Sequence, residues 1–431
     1  MVSVEWRAMN YRLLAPFASL FLSAFLMFAA IGLTNLIIPL RAGVEGWSAG
    51  TIGVIGMAQA IAFTAACFLM PVQIRRVGHI RTFAAIQTVL AASIILHGLV
   101  VSPWAWALFR VLAGLAAAGS YMVLESWLNE KAEPANRGFV LSAYLIVTMV
   151  GLTAGQYAYT LFEIGDGRLF QLTALLFGAA LLPMTLSVSP SPVPPETVKL
   201  DLNGLFARSP VGFVGALLSG FLFGVWNYFA PLYGQRIGLS SVATATLVSA
   251  AMVGGMLAQF PFGRLSDRID RRYVMAMIGA VGAVVCLFLS MAAPQSALLN
   301  MMGTLMIGMA LFPSYSIAVA HTNDHANADE FVQVSGSLLI TYGIGTMVGP
   351  VIGGQLFSLI GPIGLFVSLG TTFLAYGSYA YWRTTRREAI APEERDDFQA
   401  VPVTPFQTQQ VYELDPRQDE SGPVEQEEAA A

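Results

Sequence analysis

Long apolar stretches without any charged residue alternate along this chain with short segments that hold most of the charges. A helix needs about 20 mainly apolar residues to cross the hydrocarbon core of a bilayer. The pattern predicts twelve such helices, and the fourth differs from the others because it contains Arg110 and Glu125. The predicted spans are 13–40, 50–71, 82–100, 104–126, 139–160, 169–189, 211–233, 242–263, 274–293, 296–320, 332–358 and 361–382.

The composition supports this interpretation. Of the 431 residues, 56% are hydrophobic and only 11% are charged, whereas soluble domains have about 25% charged residues. Lipid offers the backbone no hydrogen-bond partners, so spanning segments are helices or closed barrels. The short alternating segments of a barrel are not found in the sequence. We therefore predict an all-α integral membrane protein, with no disulfide framework because Cys67 and Cys286 both fall within predicted spans.

The basic residues of the loops predict the orientation of the helices. Loops that hold most of the Lys and Arg residues remain on the cytoplasmic side of a membrane, so we expect both termini in the cytoplasm and the protein in the inner (plasma) membrane. The cytoplasmic side would receive Arg7, Arg12, Arg75, Arg76, Arg81, Lys131, Arg137, Lys199, Arg208, Arg264, Arg268, Arg271, Arg272, Arg383, Arg386 and Arg387. The opposite side would receive Arg41, Arg168 and Arg236.

The chain divides into two halves. A segment rich in Pro and Ser, 190–210, predicts a cytoplasmic linker between an N-terminal six-helix bundle, 1–189, and a C-terminal one, 211–382. The remaining residues, 383–431, are acidic and have few large apolar side chains. Such a segment cannot bury enough apolar surface to fold alone, so we expect a disordered tail.

The two halves repeat each other. Asn35-x-x-x-Pro39 in the first helix recurs as Asn227-x-x-x-Pro231 in the seventh, and Thr148-Met-Val-Gly151 in the fifth recurs as Thr346-Met-Val-Gly349 in the eleventh. Matches in the same chain order indicate duplication. Two parallel six-helix repeats are typical of transporters that rock one half against the other around a site at the membrane midplane.

Loop and helix motifs point to one family. The loop after the eighth helix reads Gly263-Arg-Leu-Ser-Asp267-Arg268-Ile-Asp270-Arg271-Arg272, and the fourth helix contains Arg110-x-x-x-Gly114-x-x-x-Ala118. With these motifs the chain resembles transporters of the major facilitator superfamily, and the runs around Arg110, Leu124-Glu-Ser126 and Asn136-Arg-Gly138 are similar to its YcaD-type branch. The resemblance implies twelve helices in two pseudo-symmetric six-helix bundles and transport by alternating access.

Arg110 is the first candidate for solute binding. A charged residue inside the membrane is costly and normally faces a cavity or a partner, and no other predicted span offers an acid close to it. One hypothesis is that Arg110 binds an anionic group of the solute. The alternative is that Arg110 extends towards the outer membrane surface and pairs with Glu45, Glu163 or Asp166.

Glu125 is the candidate for proton coupling. It lies about 22 Å from Arg110 along the same helix, given a rise of about 1.5 Å per residue, so the two side chains cannot pair. Partial burial would favour the protonated carboxyl group, which suggests exchange of a proton with the solution. The alternative is an ion pair with Arg76, Arg81 or Arg137, which would keep Glu125 ionised.

Other polar residues of the spans are weaker candidates. Proline lacks an N–H group, so Pro39 and Pro231 leave the carbonyl groups of Asn35 and Asn227 without a helical partner. These asparagines would bind a solute or form kinks used only for rocking. Aromatic and hydroxyl side chains that would line the cavity, or serve only packing, are Tyr121, Trp226, Tyr228, Ser314 and Tyr315. His97 is expected to make a polar contact inside its bundle.

The resemblance also implies a gate at the cytoplasmic ends of the helices. There Asp267 would pair with a neighbouring helix, and Arg268 and Arg271 would be its ionic partners. The corresponding loop after the second helix has Arg75-Arg76 where the family has an acid, so a symmetric gate is not expected. The alternative is that these bases serve only to anchor the protein at the membrane.

Transport is the function that the sequence favours. It contains no phosphate-binding glycine loop, no nucleophile elbow and no clustered metal ligands, so we expect no catalytic residues, metal site or cofactor. The expected partners are a small solute, the lipid bilayer and protons, without nucleic acid, and the expected state is a monomer. Import, proton-driven efflux of drugs or metabolites, and a transporter-like sensor that moves no solute remain open.

Overall fold

The structure is a computed structural model that describes residues 15–133, 136–186, 192, 200–292, 296–326, 331–386, 388 and 398. The described part of the chain forms twelve long helices and contains no strand. The long helices are α1 Ala18–Val44, α2 Ala49–Val77, α3 His79–Leu99, α4 Pro103–Lys131, α5 Arg137–Ala158, α6 Arg168–Thr185, α7 Pro210–Arg236, α8 Ser241–Arg268, α9 Arg271–Ala292, α10 Ala297–Asn323, α11 Phe331–Ile360 and α12 Gly364–Thr384.

Eleven segments of the described residues are long and apolar enough to cross a membrane. The last of them, Gln333–Thr384, is 52 residues long and includes both α11 and α12, which are separated by a 3₁₀ turn at Gly361–Ile363. Eleven apolar segments therefore correspond to twelve helices. The predicted all-α, multi-pass membrane fold is confirmed.

Several helices extend beyond the charge-free stretches from which they were predicted. Helix α2 continues through Arg75 and Arg76, α4 reaches Lys131, and α8 includes Asp267 and Arg268. Long basic side chains can bury their stems along a helix while their charged ends reach water. The first charged residue therefore marks the edge of the lipid rather than the end of the helix.

Part of the predicted linker is helical. A two-turn helix, Leu202–Arg208, begins at Asp201, whose side chain accepts a hydrogen bond from the N–H of Gly204 at 2.7 Å. The backbone N–H of Asp201 also donates to Ser337 Oγ of α11 at 3.1 Å. This part of the linker is attached to the second half. Most of the predicted tail, 383–431, lies outside the described residues.

The two halves pack in the same way. In the first half α1 packs against α5 and α6, α2 against α4, and α3 against α4 and α6. The second half repeats each of these pairs between α7 and α12. The close approaches repeat as well, because a Cβ atom at Gly114 would collide with the Gln59 carbonyl oxygen and one at Gly308 with that of Ala251. The predicted pair of pseudo-symmetric bundles is confirmed.

The bundles meet near one face, which we call the arginine-poor face because the arginines at its helix ends are Arg41, Arg168 and Arg236. At the start of α2 the N–H of Gly50 donates to Ser358 Oγ near the end of α11 at 3.0 Å. Between α1 and α7, Gln235 Nε2 donates to the Leu40 carbonyl oxygen at 3.2 Å. These contacts, α2–α11 and α1–α7, join the bundles at this face, and a third contact joins α5 and α8. We call the three helix–helix contacts the seams.

The third seam has a polar centre. Ser249 Oγ of α8 donates to Gln156 Oε1 of α5 at 2.6 Å, and the hydroxyl groups of Tyr157 and Thr246 are 3.0 Å apart. The opposite face is called the arginine-rich face because Arg75 and Arg76 of α2 and Arg264 and Arg268 of α8 lie there. Towards it the same two helices separate. A cavity of about 380 Å³ lies between them, and its wall includes Ser142 of α5 and Phe260 of α8. The structure is closed at one face and grooved at the other.

We predict that Gly308→Ala lowers the thermal stability of the purified protein. The added methyl group must displace the backbone of α8 at Ala251, and such overpacking costs about 1–3 kcal/mol. Gly178→Ala is the matched control, since no atom lies within 4 Å of its Cβ position on α6. Equal unfolding temperatures for the two variants, measured in one detergent, would contradict the assigned α8–α10 contact.

Candidate solute-binding site

Arg110 is buried where the two bundles meet, with only 2% of its surface exposed. Its Nη2 donates a hydrogen bond to Gln59 Oε1 and a second one, at 3.2 Å, to the hydroxyl oxygen of Tyr228. The Tyr228 hydroxyl donates to the same Gln59 oxygen at 2.6 Å. Arg110 and Gln59 belong to the first bundle and Tyr228 to α7 of the second. One triad of side chains therefore links the bundles.

Glycine residues of α2 and α4 bring the triad together. A Cβ atom at Gly56 would collide with the ring of Tyr228, so the absence of a side chain makes room for this residue of the other bundle. Gly114 lets α4 approach the α2 backbone at Gln59, one turn beyond Arg110 on the same helix. The small residues of the sequence thus fix the distances between the functional side chains.

The positive charge of Arg110 has no acidic partner among the described residues. Its Nε atom also lacks a hydrogen-bond acceptor there. A buried charge is normally paired or fully hydrogen-bonded, because removing it from water is expensive. The site therefore favours a negatively charged or strongly accepting group beside the guanidinium.

A small cavity lies beside Arg110 within the first bundle. Its volume is about 30 Å³, which is room for one or two water molecules. Polar side chains from three more helices share it: Asn35 of α1, Gln59 of α2, and Ser93 and His97 of α3. Tyr121 of α4 also belongs to its wall.

His97 contributes an acceptor to this cavity. Its Nδ1 is 2.7 Å from the Ser93 carbonyl oxygen, so Nδ1 carries the hydrogen that makes this bond. The other ring nitrogen, Nε2, has no partner among the described residues. The prediction of a polar contact is correct for one nitrogen of His97, while the second remains available to a water molecule or a solute group.

The alternative in which Arg110 extends towards the membrane surface is wrong. The side chain is buried, and two of the acids proposed as its partners pair with other residues. Glu45 accepts a hydrogen bond from Arg41 Nε at 2.6 Å, and Asp166 pairs with Arg168. The glycine at position 56 favours the inward direction, because it leaves space for Tyr228 next to Gln59.

Glu125 belongs to a separate place on α4. It is 1% exposed, and the Tyr144 hydroxyl group of α5 hydrogen-bonds to its carboxyl group. It is not part of the wall of the Arg110 cavity, as the predicted distance along α4 requires. Arg76 and Arg81, two of its suggested ionic partners, are exposed side chains at the arginine-rich face, and an ion pair with the third, Arg137 at the start of α5, stays a prediction.

The remaining predicted site residues are only partly brought together. Asn35, Tyr121 and Tyr228 lie at the Arg110 cavity or triad. Trp226 is buried in the core, and Tyr315 packs against Tyr342 with ring centroids 4.6 Å apart. Neither Tyr315 nor two further candidates lie among the residues around Arg110. Asn227 is half-buried, and the Ser314 carbonyl oxygen accepts a hydrogen bond from the Tyr376 hydroxyl group at 2.8 Å. The sequence analysis missed Gln59.

Two buried ion pairs hold the arginine-rich end of the second bundle. Arg271 Nε and Nη2 donate to the two carboxylate oxygens of Asp324 at 2.7 and 3.1 Å. Arg272 Nη2 pairs with Asp270 at 2.6 Å and its Nη1 donates to the Arg383 carbonyl oxygen at 3.0 Å. Burial opposes ionisation of Asp270, but the hydrogen bonds and charge of Arg272 outweigh it and lower the pKa of the carboxyl group.

Arg271, one of the expected ionic partners of Asp267, makes its shorter contacts with another acid. Arg271 pairs with Asp324 of α10, and its Nη1 is 3.4 Å from Asp267, a weaker contact. These partners belong to the second bundle, so these ion pairs link helices of one bundle. Arg76 and Arg268 are exposed at the arginine-rich face.

Comparisons with known proteins agree with this architecture. The family profile of the Major Facilitator Superfamily matches residues 20–341 and 213–414. The uncharacterized MFS-type transporter YcaD of Escherichia fergusonii is 25% identical over 356 residues, which cover 81% of this chain and 91% of that protein. The YcaD protein of Shigella flexneri shows the same identity and coverage.

Solved structures show the same fold. The nucleoside transporter NupG superposes with a TM-score of 0.68 at 16% identity over 86% of this chain and 98% of its own. A bacterial homolog of the human lysosomal transporter Spinster, inward-facing and unoccupied, gives 0.68 at 17% identity over 89% and 98%. The human organic anion transporter MFSD10 gives 0.58 at 16% identity over 84% and 98%.

We predict that Gln59→Leu destabilises the protein more than Tyr228→Phe. The first change removes the acceptor of a buried guanidinium, and hydrogen bonds to charged groups contribute about 1.5–3 kcal/mol. The second removes one hydroxyl group and leaves Gln59 with Arg110. Thermal unfolding of both variants in the same detergent tests the order, and a reversed order would contradict the triad as described.

Proposed function

Because the chain belongs to the Major Facilitator Superfamily, we propose that it is a secondary active transporter of a small anionic solute, driven through alternating access in the inner membrane. The observation that carries the choice of an anion is the buried guanidinium of Arg110 without an acidic partner among the described residues. An anion beside Arg110 Nε would supply the missing counter-charge and the missing acceptor. Gln59 and Tyr228 would hold the guanidinium ready for it.

The proposed orientation places the arginine-rich face in the cytoplasm, in agreement with the positive-inside rule. The seams between the bundles then lie on the outer side, and the groove between α5 and α8 opens inward. Such an arrangement corresponds to an inward-facing state. The moving units would be residues 1–189 and 211–382 of one monomer, connected by the linker 190–210.

Alternating access would exchange the closed and the open face. Closing the cytoplasmic face requires the ends of α5 and α8 to approach, and opening the outer face requires the Gly50–Ser358 and Gln156–Ser249 hydrogen bonds to break. Asp267, at the end of α8, would then come close to the start of α5. Carboxylates stabilise helix N-termini, which gives Asp267 a gate role that needs no arginine of the other bundle.

We predict that Arg110→Ala abolishes flux of the anionic solute in proteoliposomes. The probes are radiolabelled mono- and dicarboxylates, each compared with its neutral amide, and a nucleoside as a larger neutral probe. Transport of a neutral solute should persist because it does not need the guanidinium. Arg168→Ala is the control, since Arg168 is exposed and pairs with Asp166 outside the membrane.

Two results would overturn this proposal. Carboxylate flux that survives Arg110→Ala would make the arginine structural. A protein that binds solute but moves none would be a sensor, the second class of function that the fold permits.

We also propose that Glu125 carries the coupled proton, because its carboxyl group is buried inside the bundle beside the Tyr144 hydroxyl group. The prediction is that Glu125→Gln removes accumulation against a gradient but retains exchange of solute down its gradient. Transport measured with and without an imposed pH difference checks this. Concentrative uptake by Glu125→Gln would exclude the role, and a pH gradient that drives solute outward would identify an efflux antiporter.

A further inference from the structure

Phe398 lies beyond α12, which ends at Thr384, and it contacts the far end of α8. Its backbone N–H donates a hydrogen bond to Asp267 Oδ1 at 3.0 Å. Its ring is partly buried against the protein core. Asp267 belongs to the family motif at the gate, so a residue of the tail is bonded directly to the gate.

The contact depends on Gly263, one turn before Asp267. A Cβ atom at Gly263 would collide with three ring atoms of Phe398. The glycine therefore provides the surface on which the aromatic ring lies. A backbone hydrogen bond and a ring contact on neighbouring turns of α8 fix Phe398 at two points.

The ring occupies the groove between the two bundles. Phe398 shares the walls of the cavity of about 380 Å³ with Leu145 and Met149 of α5 and with Phe260 of α8. The groove is the space that must disappear when the arginine-rich face closes. A ring placed there takes up part of the space that α5 and α8 would have to close.

Charge complementarity supports the same occupant. The five residues directly before Phe398 are Glu393, Glu394, Arg395, Asp396 and Asp397, four acids and one base. The groove end of α8 carries the exposed side chains of Arg264 and Arg268. Opposite charges within about 10 Å attract at moderate ionic strength, so an acidic segment is favoured at this surface.

We propose that Phe398 is a docking residue of the C-terminal tail, which occupies part of the α5–α8 groove and stabilises the state open at the arginine-rich face. Docked Phe398 then opposes closure of the arginine-rich face, and its dissociation from the groove permits that closure. The proposal rests on the proposed function only in assuming that α5 and α8 approach each other. Its test measures a distance and requires no solute.

The experiment uses the full chain in nanodiscs with spin labels at Phe139→Cys on α5 and Ile269→Cys after α8. Both positions are exposed, whereas the native Cys67 and Cys286 are buried. Electron–electron resonance gives the distance distribution across the groove. With Phe398→Ala we expect at least a twofold larger population of the short distance. Phe406→Ala, a change of another phenylalanine of the tail, is the control and should leave the distribution unchanged.

A second variant tests the docking surface without touching the tail. Gly263→Ala should shift the distribution in the same direction as Phe398→Ala, and should add nothing once the chain is truncated after Arg387. Identical distributions for the parent protein, Phe398→Ala and the truncated chain would overturn the proposal. So would a shift caused by truncation but not by Phe398→Ala, because Phe398 would then not be the anchor.

Carboxylate flux that survives Arg110→Ala, together with a distance that shifts in Phe398→Ala, would count against the proposed solute site and leave the docking intact. Flux that is lost in Arg110→Ala, together with an unchanged distance in Phe398→Ala, would count against the docking and leave the solute site intact. The two proposals can therefore fail separately.

Discussion

The hydrogen bonds of Arg110 with Gln59 and Tyr228 join the two bundles through a buried positive charge. A guanidinium in this place is tolerated because an amide oxygen and a hydroxyl group partly replace water. They do not neutralise it, and Nε still lacks an acceptor among the described residues. The proposed function follows from this incomplete solvation, since an arriving anion would complete what the protein leaves open. The neighbouring cavity with His97 Nε2 adds an acceptor, so a solute with both an anionic and a donor group fits the site better than a bare ion.

The seams and the groove explain how a site between the bundles would open first to one face of the membrane and then to the other. Glycine contacts such as Gly53 against the Pro350 backbone draw α2 and α11 together at the arginine-poor face, whereas in the described part of the chain no glycine contact of this kind joins α5 and α8 at the other end. The buried Arg271–Asp324 pair links α9 to α10 at that end of the second bundle. A bundle with few polar links to its partner can tilt as a unit, and the tail residue Phe398 lies where this movement would begin.

The sequence predicted the helices well because lipid imposes a simple requirement, a continuous apolar run with satisfied backbone hydrogen bonds. It predicted helix ends less well, since Arg75 and Arg76 are helical although they lie beyond the apolar run. The position of Arg110 along α4 was evident, but its direction was not, because that depends on Gly56 and Tyr228 of other helices. Gln59 was overlooked because a single amide side chain within an apolar span forms no repeat or motif that the sequence could reveal. The contact of Phe398 with Gly263 joins segments that no periodicity connects.

Ligand-linked stabilisation of the purified protein tests the central claim most directly. The unfolding temperature would be measured for the parent protein and for Arg110→Gln against carboxylates, phosphates and sulfates, each beside a neutral compound of similar shape. A ligand at 100 times its Kd stabilises by about 2.7 kcal/mol, enough to be seen. The account predicts that anions alone raise the unfolding temperature and that Arg110→Gln loses the effect. Equal stabilisation by neutral compounds, no stabilisation by any anion, or an undiminished effect in Arg110→Gln would contradict it.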